Sequence, residues 1–335
     1  MKETKNYVIK GQGKAKDTAE KIFFRDNEHF AEVFNHTAFA TAPIRAEELM
    51  TDDTDETAIL KMTEHAHITL QNYRDVRKKL YEGKQLLMIL GIEDQTGIDY
   101  QMPLRVMEMD FIHYARQSRQ ISDARKRGKA HLKAQGGAKS VSQGELISGF
   151  GKEDRLIPAV TQVIYYGTDP WNGPRSLSDM FLESPWAKYA QDYQMNLLEV
   201  NRITDEELDT YSADLKAFFG FVKYSKDKDK LRAFIEKNGE LFQDITETTY
   251  DVIEEVTRSK ELKEIKKKCV NKGGKQDMCV AITQIKEEGI KEGIEEHELK
   301  VYQNCIARGM SEEDARAISE YEGDPIQRIQ HSSDL

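Results

Sequence analysis

Cysteine is scarce. Three occur in 335 residues, Cys269, Cys279 and Cys305, all in the last fifth of the chain and none with the close spacing of a zinc site. An odd count without a framework excludes a disulfide-stapled fold and suits a reducing cytoplasm. Long apolar runs are also missing. The longest, Leu86 to Leu90, has the size of a strand, so no membrane span is expected. The opening residues Met1-Lys2-Glu3-Thr4-Lys5-Asn6 lead into no apolar stretch, and no secretory signal is expected. The expectation is a cytoplasmic protein, long enough for a full core and a second module.

The net charge of -10 argues mildly against a nucleic-acid-coated protein, but the charge is unevenly spread. Residues 50 to 64 are acidic. From Arg116 to Lys139 there are eight basic residues and one acidic residue, Asp123. A phosphate feels charges within about a Debye length, so local charge decides, and DNA is not excluded as a partner.

Residues 1–24 form a polar N-terminal segment. Asp26 is placed to cap a helix whose apolar side uses Phe30, Val33, Phe34 and Phe39. Residues 59 to 80 follow no single period. Leu86 to Ile92 is a continuous apolar run, as a central buried strand requires. Pro103 opens a helix with Leu104, Met107, Phe111 and Ala115 at helical spacing, predicted to run to about Ile121. Residues 128 to 151 read as a long loop, Ile157 to Gly167 as a strand, and Met195 to Val200 as a short one. The sum is an α/β core with a mixed sheet over residues 25–205. Residues 206–335 read as a helical C-terminal extension, in which the charged helix Ile282 to Arg308 is broken by Gly289 and Gly293, each costing roughly 1 kcal/mol. That helix could self-associate into a homo-oligomer. Its Ile282, Ile285, Ile290, Ile294 and Leu299 hold no heptad, which argues against a coiled coil.

The chemistry concentrates at Glu93-Asp94-Gln95. Alternation puts Glu93 and Gln95 on one face of a strand and Asp94 on the other. Asp75 precedes Glu93 by 18 residues, and Glu82-Gly83-Lys84 between them reads as the turn of a hairpin that could bring the two acids together. Two converging carboxylates make a hard-oxygen site for Mg²⁺ or Mn²⁺, the ions that phosphodiester hydrolysis uses. Gln95 could orient the attacking water. The bland reading of the triplet is a solvated strand end, and Asp75 could instead be a surface charge beside Arg74, Arg77 or Lys78.

An Asp, a hairpin, then Glu-x-Gln at a strand end followed by a helix resembles the PD-(D/E)XK nuclease superfamily, in particular its recombination-promoting nuclease (Rpn) branch, the PD-(D/E)XK nuclease family transposases. The resemblance extends through Phe30 to Asn35, Gly91 to Thr96, Met102 to Val106, Val163 to Gly167, Pro170 to Leu177 and Tyr193 to Leu197. It implies a restriction-endonuclease-like core and a divalent-metal-dependent DNA endonuclease tied to recombination, mobile elements or defence. Asp75 and Glu93 would be metal ligands, Gln95 the substitute for the usual lysine, and Glu32 a helix-one acid joining the metal shell. Arg74 stands where the family's Pro would be.

Beside the site, Arg116, Arg119, Arg125, Arg127 and Lys129 have two readings: a DNA phosphate surface, or a solvated helix end whose cations suit the macrodipole. Trp171 and Tyr166 could stack on bases, although a Trp between Pro170 and Pro174 more often anchors a packed loop. The alternative for the whole chain is a catalytically inactive nuclease-fold protein acting in DNA binding or protein interaction.

Overall fold

The computed structural model describes residues 5–10, 18–52, 57–63, 66–71, 75–134, 142–271 and 273–321. The Arg74 reading therefore lies outside the described residues, as do residues 53–56 of the acidic stretch and 135–141 of the expected loop 128–151, which is helical instead at 128–134 and 143–148. The chain forms two compact units, one of residues 1–237 and 246–258, the other of residues 238–245 and 259–335.

The first unit opens with strand β1 (Lys5–Lys10), helix α1 (Ala19–Arg25) and helix α2 (Asn27–His36). Strands β2 (Leu49–Thr51), β3 (Thr57–Thr63) and β4 (Ala66–Gln71) follow, then the hairpin β5 (Val76–Glu82) and β6 (Gln85–Gln95). Helix α3 (Met102–Ala134), helix α4 (Gln143–Ser148), β7 (Ala159–Tyr165) and β8 (Asn196–Glu199) complete the α/β part. Then come α5 (Asp205–Leu208), α6 (Ala213–Tyr224), α7 (Lys228–Lys237), α8 (Gly239–Phe242) of the second unit, and α9 (Glu247–Thr257). The first unit thus continues past residue 205.

The main sheet is mixed, in the order β2-β5-β6-β7-β8. The hairpin half is antiparallel, and β6, β7 and β8 run parallel. A two-residue turn closes the hairpin at Gly83-Lys84, with Gly83 at φ 59°, a left-handed conformation that glycine adopts without a Cβ clash. A second sheet, β1-β4-β3, is built from segments that had no legible period.

Helix α3 covers one face of the main sheet, burying Met102, Val106 and Met109 with Val163, Tyr165 and Trp171. The stripe expected from sequence, Leu104 to Ala115, is not the core face: Leu104 and Phe111 are 40% and 47% exposed. Both stripes have helical spacing, so period alone could not choose between them. The helix also outruns its expected end at Ile121, because Arg, Lys and Ala form helix well and Asp123 pairs with Arg119 and Lys126.

On the opposite face Phe218 of α6 meets Phe23 of α1 and Tyr166. Phe23, Phe24, Phe30, Phe34 and Phe218 are fully buried, each contributing about 1.5–3 kcal/mol by leaving water. Asp26 caps α2 by accepting the Glu28 and His29 amides, and Phe39, beyond the helix, stacks on Phe34. His29 fixes α2 to α6: its Nε2 lies 3.5 Å from Asp214, and Nδ1 is 3.1 Å from the Phe23 carbonyl.

The second unit holds α8, α10 (Lys260–Ile265), α11 (Met278–Ala307) and α12 (Glu312–Ser319). Helix α11 runs unbroken through Gly289 and Gly293, against expectation. The Ile285 and Ile290 side chains lie outside the described residues. Ser311 caps α12 by accepting the Asp314 amide, and Tyr302, Cys305, Ala315 and Tyr321 form a small core. All three cysteines are free.

Candidate active site

The hairpin register pairs Val76 with Ile92, which brings Asp75 level with Glu93. One Asp75 carboxylate oxygen, Oδ2, accepts the main-chain N–H of Asp94 at 2.9 Å. The other, Oδ1, lies 3.3 Å from Lys21 Nζ, an amine carried by α1 and almost buried. Glu93 is 3% exposed, and its Oε1 accepts Arg105 Nη2–H at 2.6 Å and the Gln95 amide at 3.3 Å. Arg105, in the first turn of α3, spends its other nitrogen on Asp99 at 2.8 Å.

Asp94 points to the other face, as alternation requires. Its Oδ1 accepts the Tyr166 hydroxyl at 2.7 Å, while Oδ2 is buried with no hydrogen-bond partner among the described residues. Burial and the Asp75 charge lift its carboxyl well above the usual range, Glu20 and Glu93 add to the rise, and the Tyr166 hydrogen bond opposes it. Burial, then the Asp94 carboxylate, drives the Tyr166 hydroxyl upward as well. Glu20, also on α1, is raised chiefly by burial, with Glu255 and Asp75 as charged neighbours, and its Oε2 is likewise buried without a partner among the described residues. Four carboxyls, of Glu20, Asp75, Glu93 and Asp94, thus share one neighbourhood with the cations Lys21 and Arg105.

Sequence reasoning named Asp75, Glu93 and Gln95 here, and set Asp94 aside. It missed Glu20, Lys21 and Arg105. Glu32 is elsewhere: it accepts the Ser212 amide and lies 3.9 Å from His36. Lys78, offered by the sequence as a neighbour of Asp75, instead donates to the Arg25 carbonyl at 2.6 Å and to Asn27. Lys84 is exposed at the hairpin turn, at the opposite end of β6.

In the basic segment, Arg125 is committed to Asp154, through Nε at 2.6 Å and Nη2 at 2.9 Å, and to Glu145 at 3.1 Å. Arg119 and Arg127 are exposed, Arg116 is half-buried, and the Lys129 side chain lies outside the described residues. Trp171 and Tyr166 are both about 5% exposed, so neither offers a face to a base; Trp171 anchors its loop through its main-chain N–H to Glu199 at 2.8 Å and its indole N–H to the Pro174 carbonyl at 3.2 Å.

Among the described residues, no group of three or more acids, histidines or cysteines is poised around one point to hold a metal. The donor chemistry nonetheless suits Mg²⁺ or Mn²⁺, which are commonly held by one or two carboxylates together with water and substrate phosphate. The surplus of carboxyls, with orphaned oxygens on Asp94 and Glu20, fits a further cation.

No described helix is long and apolar enough to cross a membrane. Residues 147–253 match the family model described as "Putative transposase, YhgA-like". This match supports the resemblance read from the sequence, although it begins after Asp75 to Gln95. No curated protein and no solved structure matches the chain.

Proposed function

Starting from a chain with a transposase-like segment at residues 147–253, we propose a divalent-metal-dependent DNA endonuclease with a restriction-endonuclease-like core, serving recombination, mobile elements or defence. The observation that carries this reading is the hydrogen bond that seats Asp75 on the main chain beside Glu93, at an end of β6 crowded with acid. The mixed sheet, with its hairpin beside three parallel strands, supports the fold assignment.

Asp75 and Glu93 would hold Mg²⁺ or Mn²⁺, which when bound lowers the pKa of its water and offsets phosphate charge. Glu20, rather than Glu32, is the helix-one acid of this site, because α1 carries it into the Asp75 and Asp94 neighbourhood. The Gln95 amide, held on Glu93, is positioned to orient the attacking water. Tyr166 fixes Asp94 and shields the far side of the strand end. Exposed Ile294, Ile306 and Ile318 support self-association through α11 and α12, which light scattering on Ile294→Asp would test.

The purified chain should nick plasmid DNA with Mg²⁺ or Mn²⁺ and stop in EDTA. Asp75→Ala and Glu93→Ala should be inactive while remaining folded. Metal-independent DNA binding without nicking would instead establish the inactive relative.

A further inference from the structure

Positive charge at the proposed centre comes from outside the Glu93-Asp94-Gln95 triplet. The Gln95 amide is neutral, Lys78 is spent on the α1–α2 junction, and Lys84 is at the far end of the hairpin. Among the described residues Lys21 and Arg105 remain, and each is seated on a carboxylate of the proposed metal site. Lys21 is only 7% exposed, a placement that lysine rarely takes without a partner, and it stands in the first turn of α1, where a helix disfavours cations. The Arg105 fork spans Glu93 and Asp99.

We propose that Lys21 and Arg105 are the phosphate-binding cations of this centre, held in reserve on Asp75 and Glu93, where they compete with a divalent metal for the same oxygens. The inference rests on the nuclease reading above. An ammonium on a four-carbon stem can swing without main-chain movement, and a guanidinium fork matches phosphate oxygens. With Asp75 and Glu93 engaged by a metal, Lys21 would lose its counter-charge and Arg105 would keep only Asp99, leaving both side chains able to turn to the substrate phosphodiester. Metal and phosphate then bind with positive coupling, each strengthening the other by the same factor. In hydrolysis the water oxygen bonds to phosphorus and gives up a proton to solvent, the bond to the leaving oxygen breaks, and that oxygen takes a proton from solvent. Lys21 and Arg105 keep their protons and offset charge on the non-bridging oxygens.

The test is Mn²⁺ calorimetry without DNA, paired with anisotropy of a labelled duplex with and without Ca²⁺. It uses the full chain as wild type, Lys21→Gln and Arg105→Gln. Removing a competing cation should tighten Mn²⁺ binding about tenfold in either variant, and should abolish most of the Ca²⁺-induced gain in duplex affinity. Unchanged or weaker Mn²⁺ binding in both variants, or a full Ca²⁺ gain, overturns the inference. Should the glutamine variants melt, Arg105→Lys keeps the charge but loses the fork. It should fall between wild type and the expected glutamine result in both measurements, and wild-type behaviour in both overturns the inference. A wild type that nicks DNA beside unaltered variants removes this inference alone. A wild type that binds no Mn²⁺ at millimolar concentration removes the nuclease centre with it.

Discussion

Asp75 accepts the main-chain N–H of Asp94 at 2.9 Å, so strand β6 itself holds the carboxylate at the site. Asparagine keeps an acceptor for that N–H but loses the charge. Asp75→Asn should therefore lower the nicking rate about a hundredfold or more, and lose urea stability only through the Lys21 ammonium that it leaves unpaired. Asp75→Ala strands the amide and should also cost about 1–3 kcal/mol of stability. Equal stability losses in the two variants would contradict this division.

Tyr166→Phe removes the hydroxyl from Asp94 Oδ1 and leaves a carboxylate oxygen without its donor. The expected loss is about 1–3 kcal/mol in urea unfolding. Adding Asp94→Asn should recover part of it, since an amide is cheaper to bury than an unpaired charge. Additive losses in the double variant would speak against the pairing.

His29 and Asp214 predict a pH window for stability. Burial pulls the imidazole pKa down, but the Asp214 and Phe23 bonds and the Asp26 and Asp214 charges together raise it. Asp214 is held low chiefly by its bond to His29, against burial. A raised His stabilises fully below its unfolded value near 6.5, and the contribution fades as pH climbs through the folded value; a lowered Asp stabilises above about 3.9, and fades as pH falls through its folded value. The pair should therefore contribute most between about pH 4 and 6.5, on the order of 1 kcal/mol. His29→Gln should flatten the alkaline limb of urea stability above about pH 6.5. A limb unchanged from wild type would show that another group sets it.

Arg125 and its neighbours should separate. Arg119→Glu with Arg127→Glu should weaken duplex binding and reduce the salt slope by about two. Arg125→Ala should leave the slope unaltered and speed proteolysis of residues 142–155, because Arg125 ties Asp154 and Glu145 to α3. A reduced slope in Arg125→Ala would place DNA on that guanidinium.

The central strand, its hairpin and the two parallel strands after it were legible, because an apolar run, a Gly at the turn and Pro/Gly loops each act locally. Glu20 and Lys21 were not legible. Their meeting with Asp75 depends on where α1 packs, a tertiary fact that no local period records. The sheet β1-β4-β3 pairs a strand near the N-terminus with β4, about sixty residues away, so neither partner announces the other. Helix α3 hid its core face behind a second apolar stripe, and only the sheet decides which is covered.

Helix α3 has 33 residues, about 50 Å at 1.5 Å per residue. The seven residues of β7 reach only about 23 Å, so the helix overhangs the sheet that it covers. From Arg105, at the acids, to Arg127 the rise is about 33 Å, close to one turn of B-DNA. On the proposed nuclease reading, a duplex laid along this rod would meet its second contact roughly ten base pairs from the cut, and α3 would be a ruler as well as a wall.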